Sequence, residues 1–447
     1  MTPPAPTGRL RSSTTISPSG PPVAAPSGSV RLLAGVPVAG QPVGLDDHLE
    51  RWGVLPRWNG ATFIEEMERS GLRGRGGGWF PVGTKWRAVH RVGVRRPVVV
   101  ANGSESEPAS GKDRLLLCQL PHLVLDGAVV AALSIGATDI VVHVPAFARH
   151  AVDRALAERR RRGLDPCAIA VVTATDGYLA GQESAVVNTI NDRNPGIPSF
   201  VTLRSVRERG AGGRPTLVQN VESLAHASLI ARFGAQWFRS VGTQGSPGST
   251  LLTVTGRWPE PRIVEAPLGR PLGDILGLGT EAERSVQGVL LGGYGGGWIP
   301  TAEALSMPLS EEAARDQGSS IGAGVVILLP GGVCPLLEVS RVVRYLQGQG
   351  AGQCGPCVHG LDALARAMES LVVQPRARRE GISDIAALCD LVEGRGACAH
   401  PDGVARFVRS ALRVFADHAG LHLQRGPCPT TQWPVLPLPV AHRRTGR

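Results

Sequence analysis

Short apolar runs alternate with longer amphipathic runs from about residue 45 to residue 234. Three of the short runs have the length and β-branched composition of buried strands, and the two longer runs between them have helical length. Strands that alternate with helices predict a parallel sheet covered by crossover helices. The predicted elements are a strand at 97–103, a helix at 120–135, a strand at 139–144, a helix at 148–162 and a strand at 168–174.

The pattern changes near residue 240. Residues 249–276 have the pattern of strand, turn, strand and helix, and further apolar strands follow near residue 289 and at 325–330, which predicts a small β-grasp domain. Helical periodicity predominates from residue 336 onward. One apolar stripe with the spacing of a bundle helix consists of Val404, Phe407, Val408, Ala411, Leu412 and Phe415.

These patterns divide the 447 residues into five segments. The predicted fold class is α/β, with a Rossmann-like domain, a small β-grasp (SLBB/ubiquitin-like) domain and a C-terminal helical bundle. Both ends are rich in proline, and this composition is typical of flexible segments. The predicted boundaries are a disordered tail at 1–44, the α/β domain at 45–240, the β-grasp domain at 241–332, the helical domain at 333–425 and a flexible tail at 426–447.

The net charge is +10, and only two of the 47 basic residues, Lys85 and Lys112, are lysines. Two arginine runs, at 159–162 and 376–379, close or follow helical patterns and have no interleaved aromatic residues. We therefore interpret them as solvated helix ends, and no nucleic-acid partner is expected. No run of about twenty uncharged residues is present, so no membrane span is expected.

The eight cysteines are too sparse for a disulfide framework in a chain of this length. The first 30 residues lack the apolar core of a secretory signal. A reducing, cytoplasmic location is therefore expected, at the periphery of a membrane where a larger complex holds the chain there.

Two polar motifs are candidates for ligand binding in the first domain. The segment 71-GLRGRGGGWFPVGTKW-86 is dense in glycine, and its backbone N–H groups can close on an anion. The segment 102-NGSESEPASGKDR-114 directly follows a predicted strand, which places its acids at the favoured ligand edge of a parallel sheet. Alone, either segment is equally compatible with a surface turn.

Two further motifs are 178-YLAGQESAVVNTI-190 and 215-PTLVQNVESLAH-226. The second offers closely spaced amide and hydroxyl groups suited to ribityl or phosphate oxygens. Helix capping is the alternative interpretation of both.

The order and spacing of these motifs, together with 354-CGPC-357 and 396-GACAHPDG-403, resemble the flavoprotein subunit of respiratory complex I, the F subunit of bacterial NADH-quinone oxidoreductase. The resemblance runs from about residue 44 to residue 424. It implies that FMN lies in the α/β domain, accepts a hydride from NADH, and passes single electrons to a [4Fe–4S] cluster in the helical domain. A thioredoxin-like [2Fe–2S] subunit or a ferredoxin-type protein would then accept the electrons.

The resemblance also implies the site residues. Phe80 would stack on NADH, Glu107 and Glu183 would hold it, and Phe200 would line its pocket. Lys85 would lie near the FMN phosphate. The remaining FMN-binding residues would be Gly74, Arg75, Gly76, Gly77, Gly78, Asn102, Glu105, Ser106, Tyr178, Gly181, Val218, Gln219, Asn220 and Ser223.

Several positions depart from the family pattern: Trp79 replaces a glycine, Ile197 a lysine, Gln219 an asparagine, and Ser104 and Gln182 replace acids. The loss of two acids predicts a less negative site and a higher flavin potential. Trp79 is expected to shield the flavin or to occupy the nicotinamide site. The alternative function is therefore an electron-transfer flavoprotein, or a scaffold subunit, that has lost NADH oxidation.

The cluster loop departs from the pattern as well. Ala351 replaces the first of the three cysteines of the family's loop, which leaves Cys354, Cys357 and Cys398 as ligands implied by the resemblance. A cubane cluster normally takes four thiolates. The fourth ligand is expected to be His359, and the alternatives are His400, a solvent molecule, Cys389 or Cys334, or the complete loss of the cluster.

Overall fold

The computed structural model describes Ala25, 28–34, Val36, 41–92, 96–200, 205–258, 260–373, 380–428 and 434–439. Within these residues the chain forms a parallel α/β unit, a mixed β-rich unit and a helical bundle. The predicted fold class is confirmed.

The first sheet is parallel, with the strand order β3-β2-β1-β4. Three of its strands were predicted from the apolar runs, whereas β4 lies in the motif for which helix capping was the alternative interpretation. In register, Asn102 at the end of β1 pairs with Asn220 at the end of β4. The strands are β1 (Val98–Asn102), β2 (Asp139–Val144), β3 (Ala168–Thr173) and β4 (Thr216–Asn220).

Eight helices of the described residues surround this sheet, and α5 and α8 form its most closely packed pair. A Cβ atom added at Gly127 of α5 would lie 1.9 Å from the carbonyl oxygen of Leu224 in α8, so only glycine permits this approach. The helices are α1 (Leu45–Trp52), α2 (Gly60–Ser70), α3 (Val82–His90), α4 (Lys112–Gln119), α5 (Pro121–Ile135), α6 (Arg149–Arg162), α7 (Glu183–Ile190) and α8 (Val221–Arg239).

The second sheet has the strand order β6-β5-β9-β7-β8, with β5 and β9 parallel and the other pairs antiparallel. Its strands are β5 (Ser249–Thr255), β6 (Arg262–Pro267), β7 (Val286–Leu291), β8 (Gly297–Ile299) and β9 (Val325–Pro330). Short helices complete the unit: α9 (Leu272–Leu276), α10 (Thr280–Ser285), α11 (Thr301–Ser306) and α12 (Glu311–Asp316).

The remaining helices form a bundle with an apolar core. The predicted stripe lies on α16, where Val404, Phe407, Val408 and Ala411 are buried, and Phe415 directly after the helix is buried too. A π-helical turn, Pro356–Gly360, carries the cysteine motif between two of the helices. The helices are α13 (Pro335–Gly348), α14 (Leu361–Val373), α15 (Glu380–Val392), α16 (His400–Val414) and α17 (Ala416–Arg425).

Parts of both proline-rich ends are packed, contrary to the prediction from composition. Leu32 is fully buried, and the backbone N–H of Arg31 donates to Glu265 at 2.8 Å. Near the other end, Leu436 is fully buried, and its N–H donates to Glu338 at 2.7 Å. A single apolar residue and a buried carboxylate partner anchor each of these segments, and composition averaged over a window does not reveal such anchors.

Within the described ranges, no single helix is long and apolar enough to cross a membrane; only α4 and α5 together reach that length and apolarity, and they are bent by 94° where they meet.

Candidate functional site

The glycine loop of residues 74–78 lies over the carboxyl end of β4. The N–H of Gly74 donates to the carbonyl of Phe80 at 2.8 Å, and the N–H of Arg75 donates to the Ser223 hydroxyl at 2.8 Å. A Cβ added at Gly76 would lie 3.1 Å from Asn220. These contacts fix both ends of the loop against the strand edge where ligands bind in parallel sheets.

The next two glycines face open space. A Cβ at Gly77 or Gly78 would meet no atom within 4 Å, and Gly77 has a φ of +103°, which disfavours other residues. Backbone N–H groups in such a loop suit an anionic or flat heteroaromatic ligand. The chain is thus shaped here to receive a bound group such as FMN.

Two side chains of this loop turn away from the open space. The Arg75 guanidinium is buried, donates to the carbonyl of Ser249 at 3.0 Å and lies 3.7 Å from the Glu222 carboxylate. Burial lowers the pKa of Arg75 to about 10. Its side chain therefore joins the two sheet units, and only its backbone is available to a ligand in the loop.

Trp79 is also turned inward. Its ring is buried among apolar side chains of the second sheet unit, its Nε1–H donates to the carbonyl of Gly322 at 2.9 Å, and Arg75 lies 4.4 Å from its ring centre. The expectation that Trp79 shields the flavin or fills the nicotinamide site is wrong. The φ of +49° at this residue turns the ring into the core.

The acids that follow β1 have different surroundings. Glu105 caps α4, because its carboxylate accepts hydrogen bonds from the N–H groups of Asp113 and Arg114 at 2.9 and 3.0 Å. Asn102 donates to the carbonyl of Gly181 at 2.9 Å and so joins the first sheet edge to the third motif. Ser106 lies beside Gly181, with its Oγ 3.0 Å from an added Cβ.

Glu107 is buried at the junction of the two sheet units. It accepts a hydrogen bond from the N–H of Tyr294 at 2.9 Å and one from the Tyr178 hydroxyl. Burial raises the pKa of Glu107 to about 7, although these donors oppose the rise. At neutral pH this carboxyl group is therefore poised between its protonated and ionised forms.

The two lysines differ in their environment. Lys85 pairs with Glu183 and donates to the carbonyl of Val218 at 2.7 Å, so it lies at the edge of β4 with part of its side chain exposed. Lys112 is buried and pairs with Asp113 at 2.7 Å and Glu222 at 3.0 Å. Lys112 is thus part of the packing between α4 and α8.

The amide side chains at the end of β4 bond to protein groups. Gln219 accepts a hydrogen bond from the Trp86 ring N–H at 3.3 Å, and Asn220 donates to Asp113 at 2.8 Å. Two replaced family positions also have local partners. Gln182 caps α7 through the N–H of Ser184 at 2.7 Å, and Ser104 contacts His143 at 2.8 Å.

A cleft of about 340 Å³ connects the glycine loop with the cysteine-bearing bundle. It brings together seven of the predicted site residues: Gly76, Gly77, Ser106, Glu107, Tyr178, Phe200 and Cys398. Phe80, Lys85 and Glu183 are not among its lining residues, and the Phe80 ring is exposed. The ligand roles of all these residues stay predictions.

Sequence reasoning missed the second wall of this cleft. Gly292, Tyr294 and Gly295 after β7 line it, together with Arg406 of α16, whose guanidinium donates to the carbonyl of Gly295 at 3.1 Å. A Cβ at Gly293 would lie 2.5 Å from Glu107. The dense glycines of 292-GGYGGGW-298 are a signal of the same kind as those of the first loop.

The three predicted cluster cysteines lie close together. The side chains of Cys354 and Cys357 hydrogen-bond to each other, and Cys398 interacts electrostatically with both. Burial raises the pKa of Cys357 to about 11. For Cys354, burial opposes ionisation, but N–H groups of Ala397 and Cys357 bring the pKa of its thiol below the usual value. Three converging thiols fit an iron–sulfur cluster.

The candidate fourth ligands are in different environments. His359 is exposed on the π-helical turn, whereas His400 is buried with its Nε2 3.0 Å from the carbonyl of Leu346. Cys389 is fully buried near Arg409. Cys334 precedes α13, and the 14 residues of this helix separate it from the cluster loop by about 20 Å, so the alternative that it is the fourth ligand is wrong.

Two glutamines hold the cluster loop against the α/β unit. Gln349 accepts a hydrogen bond from the N–H of Tyr178 at 2.9 Å, and Gln353 accepts one from the N–H of Phe200 at 3.3 Å. Both bonds join the cluster loop to cleft-lining residues. The flavin-type loop and the cysteine loop therefore belong to one site.

Comparison with known proteins agrees with this geometry. Residues 67–228 match the family model of the Nuo51 FMN-binding domain, and residues 338–422 match that of the NADH-ubiquinone oxidoreductase-F iron-sulfur binding region. The chain belongs to the family of NADH-quinone oxidoreductase F subunits. The predicted family, its enzyme class of NADH oxidoreductases and the cofactor classes, FMN and an iron–sulfur cluster with NAD(H) as substrate, are confirmed at this level.

F subunits of several bacterial NADH-quinone oxidoreductases are similar to this protein over most of the chain. The F subunit of Mycobacterium tuberculosis is 31% identical over 389 residues, which cover 82% of this chain and 85% of the relative. The F 2 subunit of Rhizobium meliloti is 27% identical over 384 residues, which cover 82% and 90%.

A solved structure of an NAD⁺-reducing [NiFe]-hydrogenase in the H₂-reduced state superimposes with a TM-score of 0.73 at 26% identity. The match covers 83% of this chain and 64% of the hydrogenase chain, so this chain spans less than two thirds of that protein's length.

Proposed function

We propose that this chain is an NADH-oxidising flavoprotein that delivers electrons through an iron–sulfur cluster to a partner iron–sulfur protein. The observation that carries the proposal is the single cleft lined by Gly76 and Gly77 on one side and by Cys398 on the other. A flavin over the glycine loop and a cluster at the cysteines would share this cleft. FMN, when bound, supplies the exchange between hydride transfer and single-electron transfer.

The residues of the chain would provide binding and placement. The backbone at Gly76–Gly78 offers N–H groups and open space to FMN, and Lys85 lies at the adjoining strand edge. Phe80 is exposed beside the loop, where its ring can stack on NADH. Phe200 and Glu107 line the cleft, and the Glu107 carboxyl group can accept or donate a hydrogen bond near neutral pH.

The π-helical turn would provide the exit for electrons. It carries Cys357 in the core and exposes Val358 and His359. An exposed apolar residue next to a cluster ligand suits contact with a thioredoxin-like [2Fe–2S] subunit or a ferredoxin-type protein.

One preparation tests this function. The chain is purified without oxygen, its absorbance spectrum and iron content are recorded, and NADH is added. We expect bound flavin, whose absorbance is bleached by NADH, together with iron. Protein that stays colourless after reconstitution with FMN and iron would overturn the proposal.

Ala351 favours a second candidate, an electron-transfer flavoprotein that does not use NADH, because one thiolate of the family's cluster loop is absent. In the same preparation, this function would give flavin that dithionite reduces and NADH does not.

A further inference from the structure

Four potential metal ligands converge at the far end of the helical bundle. Cys334 precedes α13, His418 and His422 lie one turn apart on α17, and Cys428 follows that helix. Their ligand atoms all lie within 4.8 Å of one another. We propose that Cys334, His418, His422 and Cys428 bind one zinc ion, in a structural site separate from the iron–sulfur cluster.

The spacing of the atoms matches tetrahedral zinc. The Nε2 atom of His422 is 3.5 Å from the Cys334 sulfur and 3.1 Å from the Cys428 sulfur, and the His418 Nε2 is 3.0 Å from the Cys428 sulfur. A tetrahedron with ordinary Zn–N and Zn–S bonds has edges of about 3.3 to 3.8 Å. Small outward movements of the side chains would therefore admit the ion.

The chemistry of the ligand set favours zinc as well. Two thiols and two imidazoles form the Cys₂His₂ set of structural zinc sites. The other ring nitrogen of His422, Nδ1, lies 3.3 Å from the carbonyl of Leu371. A proton donated from Nδ1 leaves Nε2 free to bind metal, which is the usual arrangement of a metal-binding histidine.

The site is closed and lies away from the cleft. Cys334 and His422 are buried, and His418 and Cys428 are half-buried. Four protein ligands leave no open position for a substrate, so the role is structural. The length of α13, about 20 Å, separates Cys334 from the cluster loop at the other end of the helix.

The ion would join three segments that are distant in sequence. Cys334 and His422 are 88 residues apart, and the chain beyond Cys428 returns to α13, where Val435 and Leu436 donate to Glu338. The carbonyl of Pro437 accepts a hydrogen bond from the Tyr294 hydroxyl at 2.5 Å. Zinc would thus hold the C-terminal segment against the wall of the cleft that contains Tyr294.

The test measures zinc and iron separately in the full-length chain by plasma mass spectrometry. We expect about one zinc per chain, as four protein ligands bind one ion. His418→Ala and Cys428→Ser should each lower zinc content at least fivefold and leave iron content unchanged. Matched controls are His150→Ala, at an exposed histidine, and Cys167→Ser, at a half-buried thiol in the first domain.

A second measurement decides the question if the variants do not fold. The wild-type chain, stripped of zinc, is titrated with Co²⁺, and the visible absorption of tetrahedral cobalt with thiolate ligands is expected to appear and to disappear when zinc is added. Either of two results would overturn the proposal: a wild-type chain that takes up neither ion, or a disulfide between Cys334 and Cys428 found by thiol mapping. Zinc content that is equal in wild type and both ligand variants would do so too.

Discussion

The Glu107 carboxylate accepts a hydrogen bond of 2.9 Å from the backbone N–H of Tyr294, and this bond joins the ligand edge of the parallel sheet to the glycine loop after β7. The loop can approach because Gly293 has no side chain. Glu107 is therefore both a cleft residue and a contact between the two sheet units.

Glu107 should make stability depend on pH. Its pKa is raised from 4.5 to about 7 because burial disfavours the charged form. The fold thus favours protonated Glu107, and this stabilisation is complete below about pH 4.5 and is lost as the pH rises through about 7. Flavin-free wild type should lose about 2 kcal/mol of unfolding free energy between pH 5 and pH 8 that Glu107→Gln does not lose.

Urea unfolding at the two pH values measures this difference. Glu303→Gln, at an exposed carboxylate, is the control and should behave as wild type. Parallel pH profiles of wild type and Glu107→Gln would contradict the assigned environment.

Gly77→Ala should weaken flavin binding. The added methyl group would enter the open space that the loop offers to FMN, and the positive φ makes it strained. Gly163→Ala is a matched control, since Gly163 also has a positive φ and open surroundings but ends α6 outside the cleft. Both should lose about 1 kcal/mol of stability, and only Gly77→Ala should reduce FMN affinity, by about tenfold or more. Fluorescence titration with FMN measures the affinity, and equal affinities of the two variants would show that the loop is not the flavin site.

Cys398→Ser should remove bound iron. Cys398 is the cluster cysteine that lines the cleft, and two thiols would be left for the cluster. Iron per chain after anaerobic reconstitution measures the effect, with Cys167→Ser as the control. If Cys398→Ser retains wild-type iron, this cysteine is not a ligand.

His359 is expected to be the fourth cluster ligand. It is two residues from Cys357, and no described residue hydrogen-bonds to its ring, whereas the Nε2 of His400 contacts Leu346. His359→Ala should make the iron labile. His359→Cys should retain the iron and lower the cluster potential, because a thiolate adds negative charge. Redox titration followed by electron paramagnetic resonance compares the variants, and identical potentials and iron content in all three proteins would assign the fourth position to another ligand.

Trp79→Phe should affect stability and leave NADH binding intact. The substitution removes the hydrogen bond to the Gly322 carbonyl and should cost about 1 to 2 kcal/mol. The ring lies in the core of the second sheet unit, so the KM for NADH should stay within twofold of wild type. A large fall in KM would mean that the indole obstructs the nucleotide.

Much of the fold follows from local patterns. The strands β1, β2 and β3 and the helix α5 were predicted because apolar periodicity is a property of neighbouring residues. β4 was missed because its apolar core is only a few residues long and was interpreted as part of a capping motif. The buried Leu436 was missed because its flanking prolines dominate the composition.

The candidate site was predictable where a motif is contiguous. The glycine loop, the acids after β1 and the cysteine pair were found as short segments with a chemical meaning. The orientation of each side chain was not, as Arg75 and Trp79 show, because the packing of the second sheet unit decides it.

By itself the sequence determined the kind of elements, their order and the motifs that place this chain in its family, because these depend on residues a few positions apart. Only the tertiary structure decided which distant residues meet. Glu107 meets Tyr294 across 187 residues, and Cys334 meets His422 across 88, because folding buries apolar faces first and the polar groups then find partners among whatever those faces bring together.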